Sequence, residues 1–351
     1  MANTIVKIGT RESPLAVWQA QQVKNLLTAN GIQSELVYIK SEGDKDLITP
    51  LYALGVQGIF TKALDAALLN NRIDIAVHSL KDVPVQMAEG IVQAAVLKRG
   101  SYKDIFVYKD EANLEKLGYV NGAWIDVKRE TSNVRSESSS ERNPVFTIDD
   151  SRFTNDQSPL TTHSPFTIAT SSVRRIAQWL NRYPNTTVEN LRGNVNTRLR
   201  KLKESNWHGA IFAAAGLERI DLRPSTAVDL DWMLPAPAQG AIAVVCRKDD
   251  QEIFDACQQF NDKATALSVK IERDFLKVLM GGCSTPISAL AEVKGDEVVF
   301  RANVLSVDGT EKLDFEKKVS LNESADLGKV AGKEILSQGA DKIIEQIRHA
   351  Q

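Results

Sequence analysis

The sequence predicts an α/β protein with several domains, because strand-like and helix-like patterns alternate along two long stretches of the chain. The alternation covers residues 4–108 and resumes at residue 166. The 351 residues, 43% hydrophobic and 25% charged, are enough for two or three domains. Repeated β-α-β units form mostly parallel sheets covered by helices, and such sheets bind ligands beyond the carboxyl ends of their strands.

The first α/β unit begins near the N-terminus. Ser13 and Pro14 supply an N-cap and an N1 proline for a helix that should end at Gly31. Apolar periodicity predicts a second helix over 61–71. Short apolar runs predict the strands of this unit at 4–8, 34–39, 73–77, 91–97 and 105–108.

The pattern changes over residues 110–164, which are largely polar and lack periodicity. Much of this stretch is expected to be an exposed insertion, because it offers little apolar surface to bury. Residues 145–148 and 151–154 could pair as a small hairpin.

A second α/β unit and a smaller α+β unit follow. Strands of the second unit are expected at 166–169, 187–189 and 210–213, with helices over 172–183 and 194–204. A late strand at 242–246 could return to the first unit. The last unit is expected to contain a helix over 263–277, strands at 287–293, 297–305 and 313–319, and a helix over 327–348.

Composition and charge exclude several classes of function. The formal net charge of -2 argues against a general nucleic-acid binder. No signal-peptide pattern and no apolar run of membrane-spanning length is visible, so a cytoplasmic protein without a membrane segment is expected. The histidines form no metal-ligand pattern, and no metal is expected. Cys246, Cys257 and Cys283 are an odd number without paired spacing, which fits a reducing compartment.

A local concentration of arginines is the strongest functional signal. Between Ser171 and Lys203 the sole acid is Glu189, and the arginines are Arg174, Arg175, Arg182, Arg192, Arg198 and Arg200. A guanidinium group binds carboxylate or phosphate through two parallel hydrogen bonds. Several such groups together indicate a ligand that carries several anionic groups.

Two segments place these arginines where a strand passes into a helix. Residues 170–175 bring Thr170, Ser172 and two arginines to one helix start, and residues 191–198 repeat the arrangement around Gly193. Free backbone N–H groups and the helix dipole favour an anion there. The alternative is an N-capped helix with exposed arginines, and the repetition favours the anion site.

A second candidate site follows the strand predicted at 73–77. Ser79, Lys81 and Asp82 lie just beyond it, before a proline. An acid among basic groups at a strand end can stabilise a developing cation or move a proton. A capped turn explains the same spacing about equally well. His78 alone is better explained as a packed strand-end histidine.

Cys283 differs from the other two cysteines because it follows two glycines in a loop-like segment. Such a cysteine can be an accessible nucleophile or an attachment point. On spacing alone, an ordinary loop cysteine is slightly favoured. Cys246 and Cys257 lie in apolar patterns and are predicted to be buried packing residues.

Taken together, six segments resemble the hydroxymethylbilane synthase family, also called porphobilinogen deaminases. The resemblance covers nearly the whole chain outside 110–164. In order, the segments are 9–16 (GTRESPLA), 78–84 (HSLKDVP), 170–175 (TSSVRR), 191–198 (LRGNVNTR), 237–241 (PAQGA) and 281–286 (GGCSTP).

The resemblance implies two domains like those of type II periplasmic binding proteins and a small C-terminal α+β domain. Their expected limits are 1–104 with 236–260, 105–235, and 261–351. It implies a cytoplasmic, monomeric transferase of porphyrin and haem biosynthesis that joins four porphobilinogen molecules head to tail with loss of ammonia. It also implies a dipyrromethane cofactor held through a thioether.

The resemblance also assigns roles to individual residues. Asp82 matches the catalytic aspartate, and Cys283 matches the attachment cysteine. The cofactor-binding positions match Ser79, Lys81, Thr170, Ser172, Arg174, Arg175, Arg192, Gly193 and Arg198. The substrate-binding positions match Arg11, Ser13, Phe60, Lys62 and Gln239.

The chain departs from the family pattern at two places. Ala53 and Gln57 stand where the family often has lysines, which affects expected substrate contacts of that loop but not the reaction. The polar stretch 110–164 is also unusual. A non-catalytic anion-binding module of the same fold is the main alternative function. Nucleic-acid binding is a weaker one, because the arginines lack interleaved aromatic residues.

Overall fold

The computed structural model describes residues 5–40, 61–125, 166–280 and 285–349, and it contains three larger sheets and a short hairpin in these ranges. The strands are β1 (Val6–Thr10), β2 (Ser34–Tyr38), β3 (Ile75–Ser79), β4 (Ile91–Val96), β5 (Asp104–Tyr108), β6 (Tyr119–Val120), β7 (Ala123–Trp124), β8 (Phe166–Ala169), β9 (Thr186–Glu189), β10 (Gly209–Ala213), β11 (Ala227–Asp229), β12 (Ile242–Arg247), β13 (Ile287–Lys294), β14 (Glu297–Leu305) and β15 (Lys312–Ser320). The helices are α1 (Pro14–Ala29), α2 (Lys62–Leu69), α3 (Ala112–Lys116), α4 (Val173–Arg182), α5 (Val195–Glu204), α6 (Ala214–Glu218), α7 (Gln251–Gln258), α8 (Lys263–Val278), α9 (Leu327–Ile335) and α10 (Asp341–His349).

The first sheet has the strand order β2-β1-β3-β12-β4. Strands β1, β2 and β3 are parallel, whereas β12 is antiparallel to both of its neighbours. Helix α1 starts as its sequence predicts, with the Ser13 side chain accepting a hydrogen bond from Ala16 N at 3.4 Å. Val23 and Leu27 of α1 are buried against Ile8 and Val77 of the sheet.

The second sheet has the strand order β11-β5-β10-β8-β9. Strands β8, β9 and β10 are parallel, and β5 is antiparallel to both β10 and β11. Trp179 and Tyr183 are buried beside Phe106 in its core.

The two sheets therefore share one plan. In each, three parallel strands are joined at one edge by an antiparallel strand, which is β12 in the first sheet and β5 in the second. Each of these antiparallel strands directly follows a segment in which the chain crosses between the domains. The chain crosses from the first sheet to the second over 97–103 and returns over 230–241. This is the arrangement of type II periplasmic binding proteins, and the predicted α/β fold class is confirmed.

The third domain is a small α+β unit. Strands β13, β14 and β15 form an antiparallel sheet against which α8 and α9 pack, with Phe275, Phe300 and Ile335 in the core. The single helix predicted over 327–348 is wrong. Two helices, α9 and α10, flank a kink at Gly339, whose φ of 104° is not helical.

The prediction of an exposed insertion from residue 110 is wrong for residues 112–124. Helix α3 and the β6–β7 hairpin lie there, and Leu114 and Leu117 are buried in the core of the second domain. Trp124 Nε1 donates to Asp229 O at 2.6 Å, which fixes the hairpin to β11. The proposed hairpin at 145–154 lies outside the described residues.

Candidate active site

The crossing segments bring the carboxyl end of β3 close to the second domain. Ser79 ends β3, and Leu80–Asp82 form a single 3-10 turn directly after it. The buried Gln19 of α1 donates from Nε2 to Ser79 Oγ at 2.8 Å, which orients that hydroxyl group. Sequence reasoning did not single out Gln19, because its neighbours in α1 give no polar pattern.

Lys81 lies among charges from both domains. Burial lowers its pKa to about 8; the carboxylates of Asp82 and Asp104 raise it, and the guanidinium groups of Arg175 and Arg174 lower it. These effects require all four charges to be near the Lys81 amine. The predicted Lys81 and Asp82 positions and the first predicted arginine pair therefore share one site.

Helix α4 carries this first arginine pair at its start. Ser172 is its N-cap residue in an extended conformation, and Ser172 N donates to the buried Thr170 Oγ1 at 3.4 Å. Arg174 and Arg175 are buried, with 5% and 6% of their surfaces exposed. They are therefore not the exposed arginines of an ordinary capped helix.

Both arginines face one fully buried carboxylate, that of Asp104 at the start of β5. Arg175 donates from Nε and Nη2 to Asp104 Oδ1 at 3.0 and 2.7 Å. Arg174 Nη2 forms an ion pair with Asp104 Oδ2 at 2.7 Å. Burial alone would raise the pKa of Asp104, but the two guanidinium groups and Gln239 lower it to about 2.

Gln239 completes this arrangement from the returning crossing segment. Its Nε2 donates to Asp104 Oδ1 at 2.9 Å and to Tyr102 O at 2.7 Å, and its Oε1 lies 3.5 Å from Arg174 Nη2. Gln239 is 1% exposed. It was predicted as a substrate-binding residue, and here its amide joins the two crossing segments.

The second arginine segment lies between β9 and α5. Gly193 has a φ of +113°, and a Cβ there would lie 2.7 Å from Thr197 Cγ2, so a larger residue would be strained. Asn194 caps α5 by accepting from Thr197 N at 2.9 Å. Arg198 Nε donates to Gly193 O at 2.7 Å.

The charges of this segment also act on the first site. Burial lowers the pKa of Arg198 to about 10; Arg175 and Arg192 lower it further, and Asp82 raises it. Arg192 is itself 5% exposed. Among the residues that the structure describes, the site therefore joins five cations with two carboxylates, whose charges sum to +3; the members are Lys81, Arg174, Arg175, Arg192, Arg198, Asp82 and Asp104.

Other predicted residues have different positions. Arg11 lies near His78, since burial first and then the charge of Arg11 lower the pKa of that histidine to about 4. His78 is a buried strand-end residue as predicted. The hydroxyl group of Ser13 caps α1, and Lys62 is exposed at the start of α2. Phe60 and Cys283 lie outside the described residues, as do Ala53 and Gln57.

The two described cysteines are buried packing residues, as predicted. Cys246 and Cys257 are free and 0% exposed. Burial raises their thiol pKa values to about 11 and about 12. Neither is suited to nucleophilic attachment, because the reactive form of a cysteine is the thiolate.

Asp104 and Glu272 are buried acids that sequence reasoning missed. The Glu272 carboxylate of α8 accepts hydrogen bonds from Arg99 Nη1 and Nη2, at 2.6 and 3.1 Å. It also accepts hydrogen bonds from the backbone N–H groups of Ala238 and Ala291. It thereby ties both crossing segments to the third domain. A single acid at a strand or helix position gives no spacing signal, and its arginine partners are distant in sequence.

The fold and site together define a protein of two α/β domains with a cationic site between them, to which the first domain contributes Lys81 and Asp82 and the second contributes four arginines. The chain belongs to the porphobilinogen deaminase family. The family model described as "Porphobilinogen deaminase, dipyromethane cofactor binding domain" matches residues 6–152 and 147–255. The model of the family's C-terminal domain matches residues 266–337. The resemblance noted in the sequence is thereby confirmed.

Relatives agree with this assignment. A protein named porphobilinogen deaminase from Desulforamulus reducens is 34% identical over 347 residues, which cover 98% of each chain. Among solved structures, the Bacillus subtilis amino-acid transporter binding protein ytmK matches with a TM-score of 0.38 and 9% identity, covering 73% of this chain and 89% of that one. An ancestral cationic amino-acid binding protein gives a TM-score of 0.38 and 10% identity, covering 73% and 87%. At these TM-scores the likeness supports no conclusion about function.

Within the described ranges, no helix combines the length and apolar character that crossing a bilayer requires.

Proposed function

We propose that this chain joins four porphobilinogen molecules head to tail, releases ammonia, and yields the linear tetrapyrrole hydroxymethylbilane. The convergence of Lys81 and Asp82 with the four buried or half-buried arginines of the second domain is the observation that carries this proposal. Each pyrrole ring of the substrate bears an acetate and a propionate, so the growing product is a polycarboxylate. A cationic site with guanidinium groups suits that chemistry.

The site also fits the dipyrromethane cofactor of the family. Its donors are cationic, which suits the carboxylates of the group, and Arg174 Nε is a buried nitrogen without a hydrogen-bond partner among the described residues. We propose that Arg174, Arg175, Arg192 and Arg198 hold these carboxylates, with Thr170, Ser172 and Gly193 shaping the two helix starts. When bound, the group supplies the pyrrole terminus to which substrate units are joined.

Cys283 is the proposed attachment residue. The thiols of Cys246 and Cys257 are buried and have raised pKa values, which leaves Cys283 as the remaining candidate of the three cysteines. This elimination supports the assignment that the resemblance implies.

Asp82 is the proposed catalytic residue. Carbon–carbon bond formation between pyrrole rings places positive charge on ring nitrogens, and a carboxylate that accepts from the ring N–H stabilises that charge. The same carboxylate can take up and return a proton. Ser79 and Lys81 precede Asp82 at the end of β3 and are proposed to hold carboxylates of the bound pyrroles.

The proposed substrate positions lie mainly on the first domain. We propose that Arg11 and Lys62 attract the carboxylates of incoming porphobilinogen and that Phe60 contacts it, whereas Ser13 and Gln239 support substrate binding indirectly, by capping α1 and by joining the crossing segments. We also propose the domain limits 1–104 with 236–260, 105–235 and 261–351. Sheet membership supports them except at Asp104, because β12 lies in the first sheet and β5, which begins at Asp104, lies in the second.

The deciding experiment combines mass and colour. Intact-mass spectrometry of the purified protein should show an adduct of two pyrrole units, and an acidic aldehyde reagent should give the dipyrromethane colour. Cys283→Ser should lose both signals, whereas Cys257→Ser should keep them. A folded protein without adduct, colour or consumption of porphobilinogen would instead support a non-catalytic carboxylate-binding module.

A cytoplasmic monomer that binds no nucleic acid completes the proposal. The near-neutral net charge supports the last point. Size-exclusion chromatography with light scattering tests the monomer, and a mass of twice the chain would contradict it.

A further inference from the structure

Asp104 lies at the centre of the arginine site, although no sequence motif includes it. It is 0% exposed, starts β5 directly after the first crossing segment, and contacts Arg174, Arg175 and Gln239. A buried carboxylate in that position neutralises part of a charge cluster that otherwise repels itself.

The two arginines depend on Asp104 to different degrees. All the donor groups recorded for Arg175 have internal partners, since Nε and Nη2 donate to Asp104 and Nη1 donates to Ile211 O at 3.1 Å. Arg174 donates from Nη1 to Leu234 O at 2.6 Å and from Nη2 to Gln239 Oε1 at 3.5 Å, and its Nη2 forms an ion pair with Asp104 Oδ2 at 2.7 Å, but its Nε has no hydrogen-bond partner among the described residues. Arg174 therefore keeps hydrogen-bonding capacity, at Nε, that the described protein does not use.

We infer that Asp104 is a resident counter-ion, which holds Arg174 and Arg175 in place before cofactor carboxylates arrive and shares them with those carboxylates afterwards. It is a positioning residue, because it acts through the two arginines. This inference rests on the proposed function for the identity of the ligand. It does not rest on that function for the contacts among Asp104, Arg174, Arg175 and Gln239.

The inference predicts that cofactor loading stabilises the protein more when the Asp104 carboxylate is absent. Without Asp104 two buried guanidinium groups lose their anion, and an uncompensated buried charge strongly destabilises a protein. Bound carboxylates then replace that anion, so a ligand that binds the folded state restores the stability that was lost. A carboxylate with a purely structural role would lower stability equally with and without the ligand.

Asp104→Asn and Glu272→Gln form a matched pair for the test. Both acids are 0% exposed and both contact arginines, but Glu272 contacts Arg99, which lies outside the arginine site. Each is prepared with Cys283 intact, with loading checked by mass, and in a Cys283→Ser background that cannot carry the adduct. The melting temperature of every form is then measured.

We compare the difference in melting temperature between the loaded and the unloaded protein. For Asp104→Asn this difference should exceed that of the parent by about 5 °C. For Glu272→Gln the difference should equal that of the parent. Asp104→Glu, which retains the charge, should return the difference most of the way to the parent value. An Asp104→Asn protein that folds only when it carries the adduct would also support the inference, because its stability would then depend entirely on loading.

Two outcomes would overturn the inference. One is an Asp104→Asn difference equal to or smaller than that of the parent, and the other is failure to fold in both forms. If the parent carries no adduct, the proposed function fails, and citrate then serves as the probe for the Cys283→Ser proteins. Citrate should raise the melting temperature of the Asp104→Asn form more than that of its parent, and equal shifts would overturn the counter-ion assignment.

Discussion

The two α/β domains share one strand order but contribute different chemistry. In the first, β3 ends at Ser79 and passes into the charged turn that holds Lys81 and Asp82. In the second, the equivalent strand β10 passes directly into α6 through alanines, and the arginines come from the starts of α4 and α5. The scaffold therefore fixes where these side chains lie, and the residues at each strand end and helix start decide that the first domain supplies the proposed catalytic acid and the second supplies the four proposed carboxylate-binding arginines.

Asp82→Asn tests the first half of this comparison and should have the largest effect. The amide is nearly isosteric but carries no charge to stabilise a cationic ring, so turnover should fall roughly a hundred- to a thousandfold. Cofactor loading, measured by intact mass, should remain. The exposed Asp249→Asn serves as control. Near-parental turnover in a loaded Asp82→Asn protein would contradict the catalytic role proposed for Asp82.

Arg192→Lys and Arg198→Lys test the second half. Lysine keeps the charge but loses the bidentate geometry, so each variant should lower cofactor loading or chain elongation about tenfold. Unloaded protein or stalled intermediates on native gels give the measurement. Arg200→Lys is the matched control, because Arg200 is exposed on α5 and pairs with Glu204. Parental loading and elongation in both variants would show that charge alone is sufficient there.

Lys81 offers a smaller, pH-dependent test of how the domains act on each other. Its pKa of about 8 means that the amine loses its charge as pH rises from 7 to 9. Binding of citrate to the Cys283→Ser protein should weaken several-fold over that range. Lys81→Arg should flatten the profile, since arginine stays charged. A parent profile that is already flat would place Lys81 outside the anion site.

The same shift has a consequence for stability. The folded pKa lies below the unfolded value of 10.5, so the unfolded chain binds more protons between about pH 8 and 10.5. The destabilising effect of a buried charged amine is therefore present below that window and disappears as the pH rises through it.

The polar stretch distinguishes the second domain from the first, and its removal should have the smallest effect. Residues 130–142 lack apolar periodicity and offer little to offset the entropy of ordering them. Protease should cleave there early, and a short Gly/Ser linker in their place should leave product formation within a few-fold of the parent. A large loss of activity in a loaded, folded deletion would assign this stretch a role in catalysis.

Local signals predicted much of the scaffold. Ser13 with Pro14 located the start of α1, and apolar runs located β8 and β14 at their observed limits. Strand β11 escaped prediction, because its three residues give almost no periodicity.

In the candidate site, too, local sequence signals located some residues and missed others. The arginines could be found because they cluster in sequence. Asp82 follows a buried strand, which a capped turn explains equally well, and the family resemblance singled it out. Asp104 could not be found, because its role arises from contacts with residues 70 or more positions away, which sequence spacing does not record.

The exchange of one strand between the two halves has a consequence for synthesis on the ribosome. Strand β4 pairs with β12 alone in the described sheet, and β12 also pairs with β3, so the first sheet lacks two of its four strand pairings until residue 247 has emerged. Throughout translation of the second domain, β3 presents an unpaired edge that invites association with other nascent chains. The order in which the halves mature is therefore reversed relative to the order in which they begin, and a chain truncated before β12 should be captured by chaperones rather than fold.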